Sequence, residues 1–423
     1  MTALQLLTYI CAALLLQGAA GIGMAVWRKR ALPVPTGPLD DAKAPATSAS
    51  AWSGWRDFRV ARRQFEDAAN SQCSFYLQPI DGKPLAAFRP GQYLTFSLAL
   101  GDEPGSPAHG NAVTPRNLIR CYSLSGPPDP TGYRITVKRT PAPAGRPELP
   151  VGASSNHFHD RVQVGEVLQV KAPAGHFFID TDANAAAVFI AGGIGITPMM
   201  SMLQWCVAQQ PQRPVHLFYG VHNSADHAFK PSLEALAQSH PAFKLHVVYS
   251  SPKPDDVQGR DHQHVGHINL ELLRRSLPHG RHQFYVCGPP PLMQSLVPAL
   301  REWGVKEQDI HFEAFGPATV RPAGPTTNEP LAASATSATL LEIRLQRSGR
   351  SLVWDGQDAN LLDFAERHGV PVDSGCRSGS CGTCETKLVS GTVHYADKPD
   401  HDIAAGHCLL CVGKPQSALV LDA

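Results

Sequence analysis

Apolar and polar positions change rhythm repeatedly along this chain. Residues 1–27 carry no charged side chain and are rich in Leu, Ala, Ile and Val, and Arg28, Lys29 and Arg30 follow at once. About 25 such residues at 1.5 Å each exceed a hydrocarbon core of roughly 30 Å, so the run predicts a transmembrane helix within 1–30. Residues 31–50 are rich in Pro, Ala and Ser, lack periodicity and predict a linker. From 51 to 182 apolar and polar residues alternate in short runs, at 73–80, 92–98, 133–139 and 165–171, broken by Gly and Pro. That pattern predicts a closed antiparallel β-barrel. From 183 to 316 apolar runs at 187–191, 215–220, 244–249 and 283–287 alternate with helical stretches at 199–209, 232–238 and 292–303. That order predicts an α/β domain with a parallel sheet. Residues 317–338 form a second Pro/Ala/Ser/Thr-rich linker, and 339–423 remain as a last domain. No internal repeat is present.

Charge adds orientation. Lys+Arg (37) nearly cancel Asp+Glu (36), which gives no electrostatic reason to expect nucleic acid. A cleaved signal peptide would carry its positive charge before the apolar run, whereas here the charge follows it. The positive-inside rule then places everything after Arg30 in the cytoplasm, as a single-pass protein of the inner (cytoplasmic) membrane. Gln5, Gln17, Gly18, Gly21 and Gly23 lower the hydropathy of the same run. The ten cysteines include several scattered among apolar neighbours without a disulfide-like framework, which suits a reducing compartment.

Cys376, Cys381 and Cys384 stand in C-x4-C-x2-C spacing, with Cys411 following after 26 intervening residues. This is the ligand spacing of a plant-type [2Fe–2S] centre. Gly375, Gly379 and Gly382 in the same loop let the backbone turn and bring N–H groups near the sulfurs. A zinc site would more often pair two C-x2-C knuckles, and there is one here. Cys408 is a rival fourth ligand. The segment resembles the plant-type ferredoxin domain, and its ending (Cys411, Pro415, Leu419 to Leu421) favours Cys411.

Further motifs mark the two domains before it. An isoalloxazine ring needs a flat aromatic neighbour, a donor near its reactive N5 and a cation for its phosphates, and Tyr122, Ser123 and Arg120 supply these. The alternative is an ordinary barrel strand. Gly152, Ser154 and Ser155 precede a short helical stretch, and free N–H groups there suit a pyrophosphate. Gly192, Gly193, Gly195, Thr197 and Pro198 join a strand to a helix, although not as G-x-G-x-x-G. Cys287, Gly288 and Pro289 repeat the logic at a second strand end, where open α/β sheets bind ligands. Glu313 and Phe315 close the domain. His262, His264 and His267 suggest a metal, but a polar loop is the simpler reading. Lys253 and Arg260 could grip a 2′-phosphate or merely be solvated.

In this order the motifs resemble the ferredoxin–NADP reductase superfamily, and the stretch from Tyr133 to Asp180 is most similar to the reductase half of flavohaemoglobins. With the C-terminal domain, the arrangement is similar to oxygenase reductases and hybrid-cluster-protein reductases. The resemblance implies a multidomain fold: flavin-binding β-barrel (51–182), NAD(P)-binding α/β domain (183–316) and α+β β-grasp ferredoxin domain (339–423). It implies FAD rather than FMN, NAD(P)H and a [2Fe–2S] cluster. Ser123, Cys287 and Glu313 would act at the hydride-transfer site. Arg120, Tyr122, Ser123, Gly152, Ser154 and Ser155 would hold the flavin. Gly192, Gly193, Gly195, Thr197, Pro198, Gly288, Pro289 and Phe315 would hold the nicotinamide, and Phe315 would cover the ring until then. The implied partner is an oxygenase, haem or iron–sulfur protein. Direct reduction of ferric chelates or quinone is the rival enzyme reading, and an iron–sulfur redox sensor or scaffold is the rival of another class.

Overall fold

The computed structural model describes residues 51–100, 116–142, 151–182, 185–315, 340–370, 372, 374–375, 377, 379, 382–396, 399 and 401–423. They belong to one compact unit, Thr47–Ala423. The first sheet holds β1 (Arg56–Phe65), β2 (Gln72–Pro79), β3 (Tyr93–Leu100), β4 (Arg116–Ser123), β5 (Tyr133–Lys138) and β6 (Val167–Val170), in the order β4-β3-β6-β1-β2-β5. Every pairing is antiparallel. A bridge between Leu124 and Ile135 joins the two sheet edges and curls the sheet into a barrel. Closure removes exposed edges. Inward residues such as Phe58, Phe75, Leu94, Phe96 and Ile135 are fully buried. β1 carries charged residues at most outward positions, so its alternation is hard to see in the sequence. The helix Ala153–Asp160 caps one end of the barrel. Its Phe158 meets Phe75, Phe96 and Tyr122 edge-on at 5.1, 5.5 and 5.0 Å.

The second sheet is parallel: β7 (Ala186–Gly192), β8 (Val215–Val221), β9 (Phe243–Tyr249), β10 (His264–Val265), β11 (His282–Gly288) and β12 (Ile310–Ala314), ordered β10-β9-β8-β7-β11-β12. Both faces are covered, by cores around Phe189 and Tyr219 on one side and Val188 and Phe218 on the other. Two-sided burial explains the near-continuous apolar strands. Helices Ile196–Gln209, Lys230–Ser239 and Pro290–Glu302 begin two or three residues before the apolar pattern does. Proline is tolerated in a first turn, where its missing N–H has no intrahelical role.

The last domain is a mixed sheet gripping one helix. It comprises β13 (Leu341–Leu345), β14 (Arg350–Trp354), β15 (Glu385–Ser390), β17 (His407–Leu409) and β19 (Leu419–Leu421), ordered β14-β13-β19-β15-β17. β16 (Val393–Tyr395) pairs with β18 (Gly413–Pro415). β13 and β19 run parallel. The helix Leu361–Arg367 buries Leu361, Leu362, Phe364 and Ala365 in a core with Trp354 and Ile343.

One expectation is corrected. Among the described residues no helix is long and apolar enough to cross a membrane. The span expected within 1–30, its linker 31–50 and the linker 317–338 lie outside the described residues. The transmembrane element and the single-pass inner-membrane placement therefore do not stand. Gln5, Gln17 and three glycines interrupt the run on which they rested, and Gly costs roughly 1 kcal/mol per helical position relative to Ala.

Candidate active site at the meeting of three domains

A cleft of about 1070 Å³ has walls from all three domains. The barrel contributes the end of β4. Arg120, Tyr122 and Ser123 line the cleft there. The half-buried Tyr122 shares a 2.7 Å hydrogen bond between its hydroxyl and Ser154 Oγ, and burial pushes its phenol up to about 12. The helix start lies alongside. Gly152 is its N-cap, and a Cβ on Gly152 would stand 2.7 Å from Thr140 Cβ and 2.8 Å from Ser155 Oγ. Ser155 Oγ donates to Gly152 O (3.1 Å) and accepts from Thr140 N (3.1 Å), so its hydroxyl braces the turn. The first N–H groups of a helix have no intrahelical partner, so the turn aims donors and the positive dipole end at the cleft.

The parallel sheet contributes Ile194, Thr197, Phe312, Glu313 and Phe315. β7 continues to β8 on one side, while β11 flanks it on the other, so the strand order reverses between β7 and β11. Ligands of open α/β sheets bind outside the strand ends at such a point. Gly192, Gly193 and Gly195 form the turn after β7, and Thr197 Oγ1 donates to Ile194 O at 3.0 Å. Pro198 lies buried in the first turn of the following helix. Gly288 ends β11, and Pro289 caps the next helix. The two turns touch: a Cβ on Gly192 would meet Pro289 Cδ at 2.6 Å, and one on Gly195 would meet Cys287 O at 2.2 Å. Cys287 is fully buried and pairs in register with Glu313, and burial raises its thiol well above the usual range. Its side chain is not on the cleft wall. Ser123 Oγ donates to Glu313 Oε2 across the domain boundary at 3.5 Å.

The third wall holds Asn360, Leu362, Asp363, Ser374, Gly375, Arg377 and Cys411. Of the four proposed ligands, Cys376 and Cys381 lie outside the described residues. Cys411 N donates to Cys384 Sγ at 3.4 Å, and both residues are buried. Gly379 and Gly382 have positive φ, and a Cβ on Gly382 would enter the His401 ring at 2.3 Å. Cys408 sits instead within β17, opposite Thr386, where burial pushes its thiol up to about 12. Among the described residues no three His, Cys, Asp or Glu side chains converge on a metal position. His262 stacks on Tyr249 at 4.7 Å and His264 on His246 at 6.0 Å, as packing elements. Arg260 is paired to Asp261 at 2.7 Å, and Lys253 N donates to Asp256.

The residues fit the three groups their motifs imply. The cleft is large enough for an isoalloxazine, which needs an aromatic wall, a hydroxyl and a guanidinium, and all three line it. Gly192, Gly195 and Gly288 lie where no side chain would fit, and an N–H aimed at sulfur suits a thiolate. Phe158, which pegs the turn at Gly152 to the barrel, is not singled out by the sequence; its place in a polar S-S-N-H-F-H run hides it. The wall from Asn360 to Asp363 was missed too, although Asn360 accepting from Asp363 N is a readable N-cap.

Comparison with known proteins agrees. Residues 189–297 match the oxidoreductase NAD-binding domain, and residues 343–416 match the 2Fe-2S iron-sulfur cluster binding domain. A flavohemoprotein of Rhizobium meliloti (strain 1021) is 38% identical over 269 residues, covering 64% of this chain and 62% of that protein. The chain thus spans less than two thirds of that relative. The flavohem-like FAD/NAD binding domain of nitric oxide dioxygenase from Vibrio cholerae O1 biovar El Tor is 32% identical, with TM-score 0.51 over 62% of this chain and 99% of that one. An intact type IV self-sufficient cytochrome P450 monooxygenase shares the fold at 23% identity, TM-score 0.53, over 87% of this chain and 41% of that one. The chain is an NAD(P)H-dependent oxidoreductase of the ferredoxin–NADP reductase superfamily, with FAD, NAD(P)H and [2Fe–2S] as its cofactors, in which a flavohaemoglobin-like reductase core is joined to a C-terminal plant-type [2Fe–2S] domain.

Proposed function

We propose that this protein passes electrons from NAD(P)H through FAD to the [2Fe–2S] centre and on to a redox acceptor protein, an oxygenase, haem or iron–sulfur protein. The observation that carries this reading is the single cleft whose walls combine the flavin-type residues, the parallel sheet's switch point and Cys411. Bound FAD would supply acceptance of a two-electron hydride and its release as single electrons, chemistry that no side chain here provides. The chain's own residues position and shield. Tyr122 gives the ring a flat wall, and its bond to Ser154 ties that wall to the phosphate turn. Arg120 and the N–H groups after Gly152 take the phosphates. Ser123 Oγ gives its proton to Glu313 Oε2, which orients the hydroxyl so that its oxygen lone pairs face the ring's reactive edge. Thr197 and the glycine turns seat the nicotinamide. Cys287 acts through packing, because its backbone sets the position of Gly195. Phe315 packs on the parallel-sheet core and lines the cleft, where it would cover the ring until the nicotinamide arrives. Cys376, Cys381, Cys384 and Cys411 hold the cluster.

The test is spectroscopy with turnover. Purified protein should show flavin bands with broad thiolate-to-iron absorption, and should reduce cytochrome c with NAD(P)H. Zinc in place of iron, or a bound flavin that NAD(P)H leaves oxidised, would refute the proposal. Loss of cytochrome c reduction alone would point to a sensor.

A further inference from the structure

The flavin-type cleft is not contained in the barrel, because the cluster domain builds part of its wall. Arg120 stands at that seam. Its Nη1 donates to its own strand at Ile119 O (2.7 Å) and across the seam to Ser374 O (3.4 Å), two residues before Cys376. A guanidinium carries five N–H donors in a fixed fork, so it can hold a carbonyl and a phosphate oxygen together. On the facing wall Arg377 is paired to Asp363 at 3.4 Å and to Glu366, which leaves its charge locally neutralised. Among the described residues no carboxylate pairs with Arg120, so a cation with its charge unshared stands on the barrel side of the seam.

Resting on the proposed FAD site, we infer that FAD occupancy and docking of the cluster domain are thermodynamically linked, with Arg120 as the positioning residue that joins them. A ligand filling a cleft between two bodies touches both, so it favours their docked arrangement by its contacts to the second. By linkage the docked cluster domain favours FAD equally. Arg120 strengthens the coupling because phosphate contacts hold its side chain in the orientation that reaches Ser374 O. The cluster is then brought to the electron source only when that source is loaded.

The experiment is hydrogen exchange on the whole cluster-loaded protein, with and without FAD, paired with an FAD titration by fluorescence. In the unaltered protein, FAD should slow exchange in peptides covering residues 360–377 about tenfold, within the usual range of coupling between sites. Arg120→Lys keeps the charge and loses the fork. It should weaken FAD binding, so each protein is compared at an FAD concentration that saturates it in the titration; there FAD-induced protection of 360–377 should drop to about twofold or less. Unchanged peptides in β13 and β19 would show that the domain remains folded. Unaltered protein that binds FAD with no change at 360–377, or Arg120→Lys with full protection, would overturn the linkage. No FAD binding by the unaltered protein would instead overturn the function proposed above, and the linkage with it.

Discussion

Gly195→Ala separates a close approach from a conformational role for glycine. Gly195 has φ −58° and ψ −7°, which any residue adopts, so an added methyl brings no backbone strain. Its Cβ would lie 2.2 Å from Cys287 O, 2.5 Å from Cys287 C and 2.9 Å from Gly288 N. A carbon–oxygen contact needs more than 3 Å, so the two turns must part by about 1 Å. Overpacking of this kind costs about 1–3 kcal/mol. In a unit of this size that lowers the apparent melting midpoint by about 1–2 °C per kcal/mol. A 1 Å misplacement can also cost about a hundredfold in rate. Gly193→Ala is the control: Gly193 has φ +53° with nothing within 4 Å of its Cβ position, so the change brings only left-handed strain of about 1–2 kcal/mol. The assay is NAD(P)H-dependent ferricyanide reduction beside a thermal melt. Gly195→Ala should lose kcat/KM by about two orders of magnitude with its flavin spectrum intact. If its kcat/KM stays within about threefold of the Gly193→Ala value, the packed-turn argument is wrong.

Ser123→Ala should slow flavin reduction in stopped-flow by about one to three orders of magnitude and leave the cluster spectrum unchanged; an unaltered rate would remove Ser123 from the mechanism. Cys411→Ser should lose the iron signal and Cys408→Ser keep it, because Cys411 N reaches Cys384 Sγ while Cys408 is a core residue of β17; the opposite outcome by electron paramagnetic resonance would reassign the ligand. Burial depresses His216 and His227 to about 4 from the usual 6.5, so the unfolded chain binds their protons first as pH falls. The stability they hold is complete above about pH 6.5 and lost toward pH 4, at most about 1.4 kcal/mol per pH unit for each group. Urea midpoints that do not fall between pH 7 and 4.5 would contradict this, and His227→Gln, which retains a partner for Tyr249 Oη, should flatten the slope.

The motifs proposed to carry this protein's chemistry are local in sequence, and so they are legible there. C-x4-C-x2-C, R-x-Y-S and the two strand-end glycine turns each sit within about ten residues, because a cofactor contacts a turn through consecutive backbone groups. Alternation at 92–98 and the apolar runs at 187–191 and 283–287 follow from burial on one face or two. Other features depend on residues far apart. Only tertiary structure sets Ser123 3.5 Å from Glu313, 190 positions away, and Arg120 3.4 Å from Ser374 O, 254 positions away. Only packing shows that Gly195 must lack a side chain because of Cys287, and that Cys287 itself is sealed from the cleft. Cys408 and Cys411 are three positions apart and alike in composition, yet one lies in a strand within the core and the other on the cleft wall. Local pattern records what each segment needs from its solvent, whereas side-chain contacts between distant segments arise only when the sheets close and dock.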